Sequence, residues 1–273
     1  MKTYTVSTWS EVKEALQSVA SDRAALAEKY SFALEPPSML YRGHGNSNWH
    51  LETTLERIVA KPVLVTEYYR HVLKTRPQVE AFSDTRWELM GLQEYTEWAE
   101  SLSDLNWPDY PGYEYMIYLR HHGFPSPLLD WTRSPYVAAY FAYTNIPSDA
   151  ENVAIYCYSE SIGGGKSWGS DEPLIVVKGP YARSHKRHFL QQCEYTVCSK
   201  LGEHGLEYAK HEDVFNSEND TQDLLWKIVA PSTTSAEALK DLDSMNVNAL
   251  SLMGSEDALI QTLGVREYLL NHA

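Results

Sequence analysis

Polar side chains that could contribute to a ligand site are concentrated in the segment that covers residues 119–142. Asp130, Thr132 and Ser134 follow a short apolar run, and Pro135 comes directly after Ser134. Serine followed by proline is typical of a helix N-cap with proline at the first helical position. Backbone N–H groups at a helix N-terminus attract anions, so this spacing predicts a ligand site at a strand-to-helix junction. A cap and a turn without a ligand is the simpler interpretation of the same residues.

Arg42 is a second candidate, because it lies between Tyr41 and the sequence Gly43-His44-Gly45. Its guanidinium is a planar fork suited to phosphate or ribose oxygens. The two glycines would let a ligand approach the backbone closely. From the residues alone, however, a surface or structural salt bridge is the preferred interpretation of Arg42. A basic cluster at residues 183–188 adds the minority hypothesis of a phosphate-bearing ligand.

Several other chemistries are disfavoured by the motifs. The sequence Gly163-Gly164-Gly165-Lys166-Ser167 imitates the end of a phosphate loop, but Glu160 stands where the first glycine is required. No zincin helix or pair of Cys-x-x-Cys motifs occurs in the sequence. Gly165-Lys166-Ser167-Trp168-Gly169 has the spacing of a nucleophile elbow, but the segment Ser170-Asp171-Glu172-Pro173 that follows does not predict the helix which that motif requires. Hydrolase and zinc interpretations are therefore set aside, and no metal is expected.

The helices that must position these residues are indicated by apolar spacing. The pattern predicts an N-terminal helix over residues 10–29, a helix over 49–60 and helical structure over 66–106 with a break near Pro77. A further helix should end at Gly123, and another should begin at Pro135. Residues 81–118 mix aromatic and acidic side chains, which fits a helical layer better than a partner surface.

The strands are short and do not repeat as βαβ units. Apolar runs predict strands near residues 39–41, 128–131, 153–158, 174–177, 195–198 and 224–229, with an edge strand at 248–251 and a final helix over 255–271. This mixture favours an α+β fold in one unit spanning residues 1–273. Its expected core covers about 36–61 and 113–232, with a helical annex at 62–112 and C-terminal helices at 235–271.

Composition limits the setting in which the protein works. The formal charge of −14 disfavours non-specific binding of nucleic acid over the whole surface. Three cysteines, Cys157, Cys193 and Cys198, lie in apolar runs and are expected to be buried thiols. With neither a membrane-length apolar run nor a secretory signal in the sequence, we expect a cytoplasmic protein without a membrane partner. The oligomeric state is left open.

Two motifs carry a resemblance to a known family. Tyr41-Arg42-Gly43, followed by Leu128-Leu129-Asp130-Trp131-Thr132-Arg133-Ser134-Pro135, resembles the FRG-domain family, which is named for its Phe-Arg-Gly motif. That family in turn resembles ADP-ribosyltransferases at the level of fold. The resemblance implies a compact mixed or antiparallel β core flanked by helices, with a helical insertion. It also implies a setting in bacterial toxin or phage-defence systems.

The resemblance to ADP-ribosyltransferases further implies an NAD site built from three pieces. Arg42 matches the first piece, Thr132-Arg133-Ser134 the second and Gln192-Cys193-Glu194 the third. If the pieces converge, Arg42, Gly43, His44, Asp130, Thr132 and Ser134 would bind NAD or a related nucleotide. Glu194 would stabilise an oxocarbenium-like transition state, and Gln192 would orient a protein or nucleic-acid acceptor. A non-catalytic nucleotide- or partner-binding module is the alternative.

Overall fold

The computed structural model describes residues 1–30, 36–101, 111–167, 172–179, 186–215 and 220–270. Eight strands form one sheet in the order β1-β8-β4-β2-β3-β6-β5, with β7 paired to β6. β1 and β8 are parallel, and the other pairs are antiparallel. The strands are β1 (Lys2–Thr5), β2 (Leu40–His44), β3 (Leu128–Thr132), β4 (Asn152–Ser161), β5 (Leu174–Lys178), β6 (Cys193–Gly202), β7 (Gly205–Tyr208) and β8 (Gln222–Pro231).

Helices flank this sheet, which confirms the predicted mixed α+β class. The helices are α1 (Trp9–Tyr30), α2 (Val65–Ser83), α3 (Leu92–Ser101), α4 (Tyr113–His121), α5 (Pro135–Thr144), α6 (Lys186–Leu190), α7 (His211–Phe215), α8 (Ser235–Ser244), α9 (Ala249–Met253) and α10 (Glu256–Val265). A 3-10 turn (Ser232–Thr234) precedes α8, and a π-helical turn (Arg266–Leu270) follows α10. The N-terminal helix, the helix end at Gly123 and the helix start at Pro135 are confirmed.

Strands near both ends of the sheet contribute to one apolar cluster. Tyr158 of β4 and Leu225 of β8 share this cluster with Ile175 of β5 and Cys198 of β6. Trp131 of β3 lies between these ends, with its ring centroid 5.3 Å from that of Tyr158. Two further clusters pack outside the sheet, one under α1, α5 and α8, and one under α2, α3 and α4.

Helix α5 lies unusually close to β2, and two glycines make this approach possible. A Cβ added to Gly43 would lie 2.6 Å from the Ala142 nitrogen and closer still to the Ala138 carbonyl oxygen. One added to Gly45 would collide with the Asn145 carbonyl. The glycines of the Tyr41–Gly45 segment therefore accommodate a helix backbone, where the sequence had suggested the approach of a ligand.

Three local predictions are wrong, each for a physical reason. Residues 49–60 contain a turn and no helix, and the turn begins with reciprocal hydrogen bonds between Thr53 and Glu56. The turn does not extend into a helix because Ile58 is 68% exposed and gains little from packing, and because Pro62 follows closely. α2 continues through Pro77, where the Arg76–Glu80 ion pair spans the turn, and the helical stretch is interrupted instead at residues 84–91, where Asp84 has a left-handed φ of 52°. Residues 248–251 begin α9 instead of a strand, since Asn248 and Ser251 form a capping box. Residues 102–106 of the predicted helical stretch lie outside the described residues.

Because α5 packs closely on β2, adding a single methyl group at Gly43 should destabilise the folded protein strongly. We expect Gly43→Ala to lower the free energy of unfolding by about 3 kcal/mol or more, because the obstacle is helix backbone and cannot rotate away. Gly264→Ala in α10 is the matched control, as nothing lies within 4 Å of the added methyl group. In urea unfolding, Gly264→Ala should be as stable as the wild type or more stable by up to about 1 kcal/mol. Equal effects of the two substitutions would contradict the packing argument.

A single folding unit remains a prediction, and limited proteolysis tests it. Strands β2, β3, β4, β5, β6 and β8 belong to one sheet, so we expect no pair of stable fragments from cleavage between residues 140 and 230. Cuts at the termini or in surface loops should leave one resistant core. Two fragments that separate and each retain cooperative thermal unfolding would mean two units.

Candidate functional site

The candidate site lies where β2 and β3 separate. These neighbouring strands are joined by one residue pair, Tyr41 with Thr132, while β2 continues along β4 for five pairs and β3 along β6 for five. Beyond Tyr41, the two backbones diverge and leave a gap in the sheet. Side chains cross this gap in place of backbone hydrogen bonds.

Arg42 is the side chain that bridges the gap. Its Nη1 donates to the carbonyl oxygen of Asp130 at 2.7 Å and to Asp130 Oδ1 at 2.5 Å. Its Nε donates to His44 Nε2 at 3.0 Å. Burial together with the nearby Arg42 charge lowers the pKa of His44 to about 3, so the imidazole is neutral and can accept this bond. His44 thus orients Arg42 from behind and does not itself line the cavity described below.

Arg120, from the last turn of α4, is a second arginine on the same carboxylate. Its Nη2 donates to Asp130 Oδ1, and its Nη1 donates to Thr54 Oγ1 at 3.1 Å. Thr54 Oγ1 also accepts from the Ser126 backbone nitrogen, which fixes the start of the segment leading into β3. One carboxylate oxygen therefore joins β2, β3 and α4.

The cluster of Arg42, Arg120 and Asp130 carries one net positive charge at neutral pH. Burial alone would raise the pKa of Asp130, but the two guanidiniums outweigh it and hold that pKa well below its usual value. Burial and the Arg120 charge lower the pKa of Arg42, yet a guanidinium remains protonated at neutral pH. The arginine side chains are 14% and 11% exposed, whereas that of Asp130 is 41% exposed. Since Oδ1 takes both arginine bonds, Oδ2 has no protein donor among the described residues.

A cavity of about 400 Å³ opens onto this cluster. One wall comes from α5, and the opposite wall comes from α6, α9 and the start of β6. Arg187 of the predicted basic cluster lies in that second wall, while Arg183 and His185 fall outside the described residues. The residues around the cavity are Tyr41, Arg42, Gly43, Thr54, Arg120, His121, Asp130, Trp131, Thr132, Ala138, Phe141, Asn145, Arg187, Gln191, Cys193 and Met253.

The junction residues Thr132 and Ser134 mainly secure the backbone. Thr132 Oγ1 donates to the Gln191 carbonyl at 2.7 Å and accepts from the Ser134 nitrogen at 3.1 Å. Ser134 Oγ accepts from the Val137 nitrogen at 3.3 Å, as an N-cap should. Thr132 borders the cavity, but Ser134 does not. The first two of the three pieces expected for an NAD site, Arg42 and the segment that contains Thr132, therefore lie on the same cavity, with Asp130 between them.

The third predicted piece does not converge with the other two. Glu194 pairs with Trp131 in the sheet, and its side chain lies in a separate cavity of about 190 Å³ with Glu160 and Arg133. Its Oε1 is 3.5 Å from Arg133 Nε, and burial raises its pKa while Arg133 opposes the rise. Because side chains alternate along a strand, Glu194 faces away from Cys193, which borders the larger cavity. Gln192 is exposed in a left-handed turn with φ of 51°.

Several cavity residues were missed by the sequence reasoning. Arg120 ends a helix, where a cation also has an ordinary role beside the helix dipole, so nothing in its local sequence marked it. Gln191 was passed over for its neighbour Gln192, although its amide donates to the Leu252 carbonyl at 3.2 Å and thereby holds α9 against the cavity. His121, also beside the cavity, bonds the Tyr195 hydroxyl through Nε2 at 2.8 Å.

The sequence profile of the family described as the FRG domain matches residues 37–151. No curated protein and no solved structure matches the chain. In the described part of the chain, no helix is both long and apolar enough to span a bilayer. Those same residues contain no group of three or more His, Cys, Asp or Glu side chains that could hold a metal ion.

The shared carboxylate predicts an acid-sensitive contribution to stability. The pKa of Asp130 is lower in the folded chain than in the unfolded chain, where aspartate titrates near about 3.9. Its contribution is therefore complete above that pH and lost progressively as the pH falls below it. Asp130→Asn should lower the free energy of unfolding by about 1–3 kcal/mol at pH 7 and flatten the decline in urea midpoint below about pH 4.

Asp149→Asn is the control for that measurement, because Asp149 is exposed and belongs to no ion pair of the described residues. It should leave both the stability at pH 7 and the acid profile unchanged. If the Asp130 variant kept the wild-type acid profile, the carboxylate would not be the shared anchor.

Proposed function

Residues 37–151 belong to the FRG-domain family, and on that premise we propose that the cavity beside Arg42 binds a phosphate-bearing ligand of the nucleotide class. NAD is the first candidate. The observation that supports this proposal is the excess of positive charge in the cavity wall, where two guanidiniums share one carboxylate oxygen. A recessed cationic site favours an anion because surrounding protein screens it less than water would.

The arginines retain donors for such a ligand. Arg42 Nη2 and Arg120 Nε bond no acceptor among the described residues, and neither atom is fully buried. Each could donate to a phosphate oxygen without breaking the bonds to Asp130, since a guanidinium carries five N–H donors in a rigid fork. The bonds to Asp130 would orient the arginines before the ligand arrives, which limits the entropy lost on binding.

ADP-ribosyl transfer from NAD is the second candidate function. Such chemistry needs an ionised carboxylate near the ribose to stabilise an oxocarbenium-like transition state. Glu194 lies outside the cavity, and Asp130 is the carboxylate among the described lining residues. What favours this candidate is the lowered pKa of Asp130 together with its uncommitted Oδ2. Transfer to protein, DNA or RNA would suit a toxin or defence role, as would the ADP-ribosyltransferase-like fold that the family resemblance implies.

Binding is tested by titrating NAD into the wild-type protein and Arg42→Lys in a calorimeter. The lysine keeps the charge but loses the fork, so we expect affinity to fall about 10-fold or more. Arg70→Lys is the matched control, because Arg70 is exposed and outside the cavity; its affinity should equal that of the wild type. Equal affinities for all three proteins, or no NAD binding by the wild type, would exclude this cavity as the NAD site.

Catalysis is tested by following labelled NAD incubated with the protein and cell extract. If Asp130 acts in the transition state, Asp130→Asn should reduce the rate of transfer at saturating NAD about 100-fold or more, beyond any change in NAD affinity that follows from the loss of its bonds to the arginines. Glu194→Gln should retain most activity. Loss of transfer in Glu194→Gln alone would return the catalytic role to Glu194. Binding without transfer by the wild type would identify a binding module.

A further inference from the structure

Three partly buried, largely apolar side chains line the same cavity as Arg42 and Arg120, and we call this part of the lining the slot. Tyr41 comes from β2, Phe141 from α5 and Met253 from α9. All three pack against the same apolar cluster, yet each keeps part of its surface open and borders the cavity. Apolar groups that stay accessible at the mouth of a polar site are typical of ligand pockets.

Met253 is held in this position by side-chain hydrogen bonds from α6 and from Gln191, the residue that follows it. Gln191 Nε2 donates to Met253 Sδ at 3.2 Å and to the Leu252 carbonyl at 3.2 Å. Lys186 Nζ donates to the carbonyl of Gly254, which ends α9 in a left-handed conformation with φ of 61°. The short helix α9 is thus fixed at its C-terminal end, where Met253 faces the cavity.

We propose that the slot of Tyr41, Phe141 and Met253 binds the ring of a nucleoside phosphate whose phosphate lies at Arg42 and Arg120. This inference rests on the proposed function, and it specifies which phosphate compounds the cavity selects. A flat ring gains from packing against aromatic faces and against a thioether sulfur, which is polarizable and adapts its shape. A phosphate or sugar phosphate without a ring would use only the cationic end.

The size of the cavity fits one nucleotide unit. Its volume of about 400 Å³ is near the lower end of the range for ligand pockets, about 300–1,000 Å³. A ring and one phosphate group can therefore occupy the slot and the cationic end together. Of a dinucleotide such as NAD, one half would be enclosed, and the other would extend toward the opening. Tyr41 and Phe141 lie inside residues 37–151 and Met253 lies outside them, so the chain beyond the family-matched segment completes the slot.

The test compares AMP and nicotinamide mononucleotide with ribose 5-phosphate, which carries the same sugar and phosphate without a ring. The wild type should bind at least one of the two nucleotides about 10-fold more tightly than ribose 5-phosphate in calorimetry. Met253→Ala should remove most of that difference while leaving the affinity for ribose 5-phosphate unchanged. Met253→Leu restores the volume and should restore most of the preference.

Met245→Ala is the matched control, because Met245 is 41% exposed at the end of α8 and does not border the cavity. Its preference for the nucleotide should equal that of the wild type, and thermal unfolding should show that every variant is folded. Equal affinity of the wild type for all three probes would overturn the ring slot while leaving the phosphate site intact. The ring slot would also be overturned if Met253→Ala lowered the affinity for all three probes by the same factor. If the wild type bound neither the probes nor NAD, the phosphate site itself would fall, and the slot with it.

Discussion

The architecture around the cavity depends on one carboxylate oxygen that serves two arginines. Asp130 Oδ1 connects Arg42 of β2 with Arg120 of α4 across a gap in the sheet that has no backbone bonds. A side-chain network of this kind is directional, so it defines where each guanidinium points, whereas apolar packing would not. The same arrangement stabilises three charged groups in a partly buried position. Each arginine offsets part of the desolvation free energy of the carboxylate, and the carboxylate reduces the electrostatic repulsion between the two arginines.

A second constraint sets the depth of the cavity. Gly43 and Gly45 let the backbone of α5 rest directly on β2, and this contact fixes the distance of Phe141 and Asn145 from the sheet. A residue with a side chain at either glycine would push α5 outward and open the wall. The charge of Arg42 and the absence of a side chain at Gly43 are therefore separate requirements met by adjacent residues, one electrostatic and one steric.

Features governed by nearby residues could be predicted from the sequence, and features governed by strand pairing could not. The cap at Ser134, the proline at the first position of α5 and the left-handed Gly123 follow from local stereochemistry. The ion pair of Arg42 with Asp130 agrees with the structural salt bridge that the sequence predicted for Arg42, although the sequence analysis did not name its partner. The position of Glu194 required knowing that it pairs with Trp131, because a shift of one residue moves a side chain to the other face of a sheet.

The errors at residues 49–60 and 248–251 have a related cause. In the first segment, apolar residues occur at helical spacing, but Ile58 has no partner surface and a proline follows, so tertiary context did not support the helix. In the second, a short apolar run fits either structure, and the reciprocal bonds of Asn248 and Ser251 decide for a helix. Arg120 and Gln191 became visible only in three dimensions, since each also has an ordinary structural role.

The strand order has a consequence for modularity. Of the eight strands in the described residues, the segment that matches the FRG profile, residues 37–151, contains β2 and β3, and those two are joined by a single residue pair. Their other neighbours, β4 and β6, begin at Asn152 and Cys193, beyond the match. Excised on its own, the matched segment would lose nearly all of its strand pairing and one wall of its cavity. The family match therefore covers the centre of a larger sheet. A segment of this chain that is moved into another protein would need the flanking strands β4 and β6 in order to keep its fold.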